Sequence, residues 1–161
     1  MAGSYIKGMG TIHKDVPLSE CTLRRYEKPI NTDRDLVRRL CLTLGILQPG
    51  DSRDVIVDVL QVLLTARSQK KMLDTDLIRD LVIANRADYE LEMNGIAHSN
   101  IRRQLRRLKE LYLIECINNE YRISEFMSCE EVLNEKIMPF LIKPILQRVK
   151  EYLKAVDQQF K

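Results

Sequence analysis

Apolar residues recur every three or four positions through much of the chain, and this spacing predicts a mainly helical protein. A first helix is expected from Asn31 or Thr32 to Gly45, and a second, capped by Asp51 or Ser52, to about residue 68. The face expected to be buried is Leu36, Val37, Leu40, Cys41 and Leu44 in the first helix, and Val55, Ile56, Val59, Leu60, Leu63 and Leu64 in the second.

A third helix is expected to begin at a cap formed by Asp74 or Thr75. Residues 85–94 are then predicted to form a loop, which is acidic because it carries Asp88, Glu90 and Glu92. We expect nucleic acid, if bound, to avoid the side of this loop. The apolar face of the third helix is Leu77, Ile78, Leu81, Val82 and Ile83.

The segment after Gly95 has the most informative pattern of the chain. It predicts a fourth helix, capped by His98 or Ser99, with one narrow apolar stripe. On a helical wheel the opposite face is polar and strongly basic, so one side can seat the helix while the other faces an anionic partner. The apolar stripe is Ile101, Leu105 and Leu108, and the polar face is Ser99, Arg103, Arg106 and Arg107.

Two short β-rich runs follow this basic helix directly, over residues 112–117 and 121–123. Asn118 and Asn119 lie between them, and asparagine tolerates the positive φ of a tight hairpin turn. A basic helix followed by a small hairpin is typical of a winged helix-turn-helix. The expected fold is therefore mainly α with a small β-hairpin wing: an extended N-terminal arm at 1–30, a winged helix-turn-helix domain at 31–125 and a long C-terminal helical extension at 126–161.

The C-terminal extension carries two prolines. Ser128 is expected to cap a helix that Pro139 and Pro144 interrupt, because proline lacks the amide donor of a helix interior. Pro144 then suits the start of a new helix that runs to about Gln159. This helix either folds back on its own domain or pairs with a second chain, and we expect pairing into a homodimer. The residues expected at the dimer contact are Ile145, Val149, Tyr152, Leu153 and Val156.

Composition narrows the possible functions. The chain has 161 residues and a formal net charge of +3, so any binding to nucleic acid depends on local clusters such as residues 102–109, which hold five of the 26 Lys and Arg. Basic clusters near Arg24 and Arg34 are interpreted as solubilising surface, with nucleic-acid contact as the alternative. The N-terminus lacks an apolar signal segment and no apolar run is long enough to span a bilayer, so a cytoplasmic protein without membrane contact is expected.

The sequence gives no sign of catalysis or of a bound metal. Its four cysteines are widely spaced and are interpreted as reduced thiols, and neither His13 nor His98 has suitably spaced ligand partners. We find no glycine-rich phosphate loop and no nucleophile with a nearby histidine. The chain is expected to be neither an enzyme nor a carrier of a metal or other cofactor.

Residues Thr75–Ser124 resemble small archaeal winged-helix proteins that act as transcriptional regulators. The resemblance is strongest over residues 99–115 and 121–124, and the chain departs from the family at Tyr112, where the family often has glycine. The resemblance implies that the basic helix and the wing contact DNA. With Arg102 from the same basic run, the residues expected at nucleic acid are Ser99, Asn100, Arg102, Arg103, Arg106 and Arg107 in the helix, and Asn118, Asn119 and Arg122 in the wing.

Sequence-specific DNA binding, as a homodimeric transcriptional regulator, is thus the leading hypothesis. One alternative is an RNA- or ribosome-associated factor with the same fold, although only Tyr89, Tyr112 and Tyr121 lie near the basic face to stack on bases. Another alternative is a protein-interaction module whose basic face meets an acidic protein surface.

Overall fold

The described part of the chain, residues 15–161, is mainly helical and carries a small three-stranded antiparallel sheet in this computed structural model. The first 14 residues of the predicted arm, including Ile6, Ile12 and His13, lie outside it. The helices are α1 (Asp33–Thr43), α2 (Val55–Ser68), α3 (Thr75–Asp88), α4 (His98–Glu110), α5 (Cys129–Val132) and α6 (Lys143–Gln159), and a π-helical segment, Leu133–Ile142, joins α5 to α6. The strands are β1 (Leu73–Asp74), β2 (Ile114–Ile117) and β3 (Glu120–Ile123).

Helix α2 lies at the centre of the core. It is apolar on nearly all sides, which is typical of a helix surrounded by other elements. Helices α1, α3 and α4 and strand β3 all pack against it. Its side chains Ile56, Val57, Val59, Leu60 and Leu63 are at most 1% exposed, and the predicted face of α2 is confirmed for all of its members except the half-buried Leu64.

The predicted hairpin is confirmed. Strands β2 and β3 pair with Ile114 opposite Ile123, and the two-residue turn of Asn118 and Asn119 has φ values of 50° and 63°. Positive φ at both turn positions matches the right-handed twist of the strands and suits asparagine. The sequence did not predict β1, which adds to the free edge of β3 with Leu73 opposite Tyr121 and completes the order β1-β3-β2.

The start of the second helix differs from the prediction. Neither Asp51 nor Ser52 caps it: α2 begins after Asp54, and its first turn has no side-chain cap. Asp51 instead accepts a 2.9 Å hydrogen bond from the amide of Arg53. The third helix follows the prediction at its start, where Asp74 accepts from the amide of Leu77 at 2.8 Å.

Of two other boundaries, one shifts slightly and one is as predicted. Helix α3 continues to Asp88, so the acidic loop starts later than predicted. At the C-terminus of α1, Gly45 terminates the helix as expected with a φ of +72°. A side chain at Gly45 would also collide with the backbone of Thr22, because an added Cβ would lie 2.0 Å from its carbonyl oxygen.

The buried face of α1 includes a charge that the apolar pattern did not predict. Leu36 is 41% exposed, whereas Arg34 and Leu42 are buried. Arg34 turns inward because Asp58 on α2 is fully buried and accepts hydrogen bonds from its Nε and Nη2, each at 2.9 Å. The expectation that Arg34 forms part of a basic surface is therefore wrong.

Asp58 is the centre of a buried ion network that joins α1, α2 and α3. Besides Arg34, it accepts from Arg86 Nη1 at 2.6 Å and from Asn85 Nδ2 at 2.8 Å, and Asp54 accepts from Arg86 at 3.2 Å. Burial alone lowers the pKa of Arg34, but the hydrogen bonds and charges of Asp58 and Asp54 outweigh it and raise the pKa. Two arginines and two aspartates thus balance each other inside the fold.

The described part of the arm, up to α1, wraps around its own domain. The Arg24 guanidinium donates to the carbonyls of Leu42 and Leu47 at 3.0 and 3.2 Å, and the Arg24 amide donates to Thr43. The apolar side chains of Val16, Leu18 and Leu23 do not anchor the arm, since they are 71%, 97% and 52% exposed. In their place Cys21 and Tyr26 pack against the core.

Residues 129–159 form one uninterrupted helical run, so the predicted break at Pro139 is wrong. Pro139 lies inside the π-helical segment, whose end is marked by the amide of Lys143 bonding to the carbonyl of Met138, five residues earlier. A bulged helix tolerates the missing amide donor of proline. Ser128 caps α5 as predicted, with Glu131 completing a capping box, and Pro144 lies in the first turn of α6.

The C-terminal run changes character along its length. Val132, Ile137 and Leu141 are buried in the same core as α2, whereas no residue of α6 is buried. Helix α6 therefore leaves the core after its first turn. Among residues 15–161, none of the helices combines the length and apolarity required to cross a bilayer.

Candidate nucleic-acid interface

Helix α4 is seated by its predicted apolar stripe. Ile101, Leu105 and Leu108 are each 0% exposed, and α4 packs against α2, α3 and β2. Full burial of three branched side chains contributes several kcal/mol, so the helix is fixed in orientation. Its opposite face is thereby held toward solvent.

The exposed face of α4 carries Ser99, Arg102, Arg103 and Arg106. Arg102 and Arg103 are each three or four positions from both Ser99 and Arg106, so the four side chains share one side of the helix. Among the residues that the structure describes, no carboxylate lies within 4.0 Å of the three arginines. Three neighbouring guanidinium groups without internal partners form a surface suited to an anion.

Lys109, which was not among the residues predicted to contact nucleic acid, extends this face by one further turn. It is exposed and lies three residues after Arg106. Lys109 and Arg106 line one side of a depression of about 760 Å³, with Leu18 of the arm and Phe140 of the π-helical segment on the other sides. The three-residue spacing between Arg106 and Lys109 is the feature of the sequence that places Lys109 on the same face.

Arg107 does not share the exposed face, in contrast to the prediction. Its guanidinium donates to the carbonyl of Ile46, in the loop between α1 and α2, and to Gln104 Oε1 at 2.8 Å. Burial, and secondarily the charge of Arg103, lower the pKa of Arg107. The helical wheel placed Arg107 outward because it contained no information about the α1–α2 loop that covers this flank.

Asn100 also serves the local structure. Its Nδ2 donates to the carbonyl of Gly95 at 2.7 Å, and its Oδ1 accepts from Gln104 at 3.0 Å. The predicted caps at His98 and Ser99 are wrong, since α4 begins at His98 after Ala97 and has no side-chain cap. Ser99 is thereby free in the first turn, where helix amides favour negative charge.

The tip of the hairpin is exposed, whereas its basic residue, Arg122, contacts other residues of the protein. Asn118 and Asn119 are exposed at the turn. Arg122 is engaged within the protein, because its Nε donates to Glu115 at 2.7 Å and its guanidinium lies 4.7 Å from the centroid of the Phe126 ring. A partner that binds through the Nε of Arg122 would have to compete with Glu115.

Tyr112 adopts a backbone conformation that is unusual for a residue with a side chain. It has a φ of 63° directly after α4, in a C-terminal motif where the amide of Leu113 bonds to the carbonyl of Leu108. Glycine is the residue that most easily adopts this conformation. Tyr112 is held by two contacts. The centroid of its ring lies 5.9 Å from that of Phe140, and its carbonyl accepts a hydrogen bond from the hydroxyl of Ser124.

No family model, curated protein or solved structure matches this chain. The described residues also contain no group of three or more His, Cys, Asp and Glu side chains that could hold a metal ion. The basic face of α4, defined by Ser99, Arg102, Arg103, Arg106 and Lys109, is therefore the strongest candidate site.

Proposed function

We propose that this protein binds double-stranded DNA sequence-specifically as a winged helix-turn-helix transcriptional regulator. The observation that carries the proposal is the basic face of α4, on which Arg102, Arg103 and Arg106 are exposed and free of carboxylate partners among the described residues. In this proposal α4 enters the major groove and the β2–β3 hairpin lies beside it.

The order of elements supports a winged-helix assignment. Helix α2 is followed by strand β1, helices α3 and α4, and the β2–β3 hairpin, and β1 pairs with the hairpin. In a helix-turn-helix pair the second helix reads DNA, and here that helix is α4. The most basic exposed helix face thus coincides with the position at which this class contacts DNA.

The dimensions and chemistry of α4 are suitable for a major groove. Its 13 residues give a length of about 20 Å, and the groove is about 12 Å wide. Each exposed arginine can donate two parallel hydrogen bonds to a guanine edge or to a phosphate. Ser99 lies at the amino end of the helix, the end that favours phosphate.

The tyrosines near this face give little support to binding of single-stranded RNA. Tyr112 contacts Phe140, the Tyr89 hydroxyl accepts from Gln61, and Tyr121 is half-buried. Single-stranded RNA is usually bound by aromatic rings that stack on bases, and these rings have partners within the protein. Duplex recognition by arginine is the simpler use of the surface.

The test is a fluorescence-anisotropy titration of duplexes selected from a random library by the full chain. Arg103→Ala and Arg106→Ala should each weaken binding about tenfold or more, because each removes a contact to DNA. Arg25→Ala is the matched control, since it removes an exposed arginine from the arm, and its affinity should remain unchanged. Arg107→Ala should instead lower thermal stability, because Ile46 and Gln104 lose their donor.

The outcomes separate the competing functions. Equal binding to all duplexes would disprove sequence-specific recognition, and preference for structured RNA over duplex DNA would assign an RNA-associated role. Unchanged affinity of both α4 variants would remove α4 from the interface. Binding of neither nucleic acid at low salt would leave the protein-interaction module as the better assignment.

A further inference from the structure

Helix α6 exposes a continuous apolar face after it leaves the core. Leu146, Val149, Tyr152, Leu153 and Phe160 are between 49% and 80% exposed. Exposed apolar side chains in such a contiguous row are unusual on a soluble surface and mark a contact with another molecule.

The spacing of this face is that of a paired helix. Leu146, Val149, Leu153, Val156 and Phe160 follow one another at intervals of alternately three and four residues. This repeat keeps one seam of a helix against a neighbouring helix along its whole length. The occupant that fits such a seam is another helix.

We propose that α6 pairs with α6 of a second copy of this chain, antiparallel and about a two-fold axis beside Leu153. Leu153 lies at the midpoint of the apolar row from Leu146 to Phe160. Pairing about this point covers the entire row on both chains. The same patch meets itself, as a two-fold interface requires.

The charges that border the apolar face set the orientation. Lys150 and Asp157 lie on one flank of α6, and the midpoint between them falls between Leu153 and Lys154. In an antiparallel pair the same flanks face each other, so Lys150 of one copy meets Asp157 of the other, twice by symmetry. A parallel pair would instead turn Lys150 toward the opposite flank, where Ile145 and Tyr152 of the second copy offer it no carboxylate.

A groove beside α6 fits the end of the second helix. Pro17 and Leu18 of the arm, with Ile145 and Val149 of α6, line an open cavity of about 770 Å³. In the antiparallel register Phe160 of the second copy lies at the level of Leu146 and Gln147, beside this groove. Leu18 and Phe160, which are 97% and 80% exposed in the single chain, then cover each other.

The pairing deepens the proposed function, because a two-fold dimer presents two basic faces to a palindromic DNA site. Only this consequence for DNA binding rests on the proposed function; the pairing of the α6 helices does not. Self-association is measured without DNA, so the failure of either idea is visible separately.

The first experiment is sedimentation equilibrium of the full chain at several concentrations. We expect a dimer of twice 18.8 kDa, and Leu153→Asp should weaken it about 100-fold, since two unpaired charges would be buried at the axis. Gln158→Asp is the matched control: it adds the same charge on the opposite face of α6 and should leave the dimer intact. Circular dichroism should show unchanged helix content in both variants, because both positions are exposed in the single chain.

The second experiment tests the orientation by charge exchange. Lys150→Asp and Asp157→Lys should each weaken the dimer about fivefold or more, because each places like charges together twice. The double variant should restore the affinity of the original chain. A wild-type monomer at every concentration, or an unaffected Leu153→Asp variant, would overturn the pairing through α6. A double variant as weak as the single variants would overturn the antiparallel register.

Discussion

Asp58 is the residue on which three helices depend. It is fully buried and accepts hydrogen bonds from Arg34, Asn85 and Arg86. Its loss would leave two buried guanidinium groups facing Asp54 alone. Asp58 therefore matters for stability chiefly because its removal would leave the buried positive charges of the arginines without enough negative charge to compensate them.

Asp58→Ala should lower the free energy of unfolding by about 3–5 kcal/mol. Asp80→Ala, at an exposed position of α3, is the control and should change it by less than about 0.5 kcal/mol. Urea unfolding followed by circular dichroism measures both. Equal effects of the two substitutions would show that the network contributes no more than a surface charge.

Cys41 gives the fold a dependence on alkaline pH. Burial raises the pKa of its thiol to about 12, and the charge of Arg107 opposes this shift only partly. The folded pKa exceeds the unfolded value, so the stability that the thiol contributes is complete below about pH 8.5 and declines as pH rises toward 12.

The variant Cys41→Ala removes this titration. At neutral pH it should be less stable than the original chain, because removal of the buried sulfur atom leaves a small cavity. Above pH 9 the stability difference should narrow by about 1.4 kcal/mol per pH unit. Urea unfolding of both proteins at neutral pH and at pH 10 measures the difference, and a constant value would show that the Cys41 thiol does not titrate against the fold.

The orientation of a side chain was predicted correctly from the sequence where it depends only on the helix that carries the residue. The stripe of Ile101, Leu105 and Leu108 was predicted because period alone determines it. Arg34 and Arg107 were placed wrongly because their partners, Asp58 and Ile46, come from other parts of the chain. No local pattern contains those contacts.

At the level of elements, the backbone conformation of the β2–β3 turn can be tested by substitution. Asn119 has a φ of 63°, a conformation that costs a β-branched residue about 1–2 kcal/mol. Asn119→Val should therefore lower the free energy of unfolding by roughly this amount. Asn119→Gly at the same position is the control, and it should leave stability unchanged or slightly raised. Equal stability of the two variants would contradict the turn geometry.

Other elements show why boundaries were harder to predict. Strand β1 has two residues, too few for a period, and it exists because β3 offers a free edge. Pro139 was expected to break the C-terminal helix, yet the π-helical segment absorbs its missing donor while Ile137 and Leu141 remain buried. Tertiary packing decides both cases.

For the molecule as a whole, two surfaces remain without partners inside the described chain. One is the basic face of α4 and the other is the apolar face of α6. The first has the chemistry of a contact with a polyanion, and the second that of a contact with another helix. The sequence predicted both surfaces, because each arises from the period of a single helix. The structure corrected the membership of the α4 face by exchanging Arg107 for Lys109.

The most direct test of DNA binding through α4 is the salt dependence of affinity for duplex DNA, measured by anisotropy between 50 and 200 mM KCl. A variant with Arg102, Arg103 and Arg106 all replaced by alanine removes the exposed guanidinium groups while Arg107 keeps its contact with Ile46. The wild-type plot of log affinity against log salt should be steep, and the variant should bind more weakly with a slope reduced in magnitude by about 2 to 3. An identical slope and affinity for the two proteins would contradict the assignment of α4 as the DNA-binding surface.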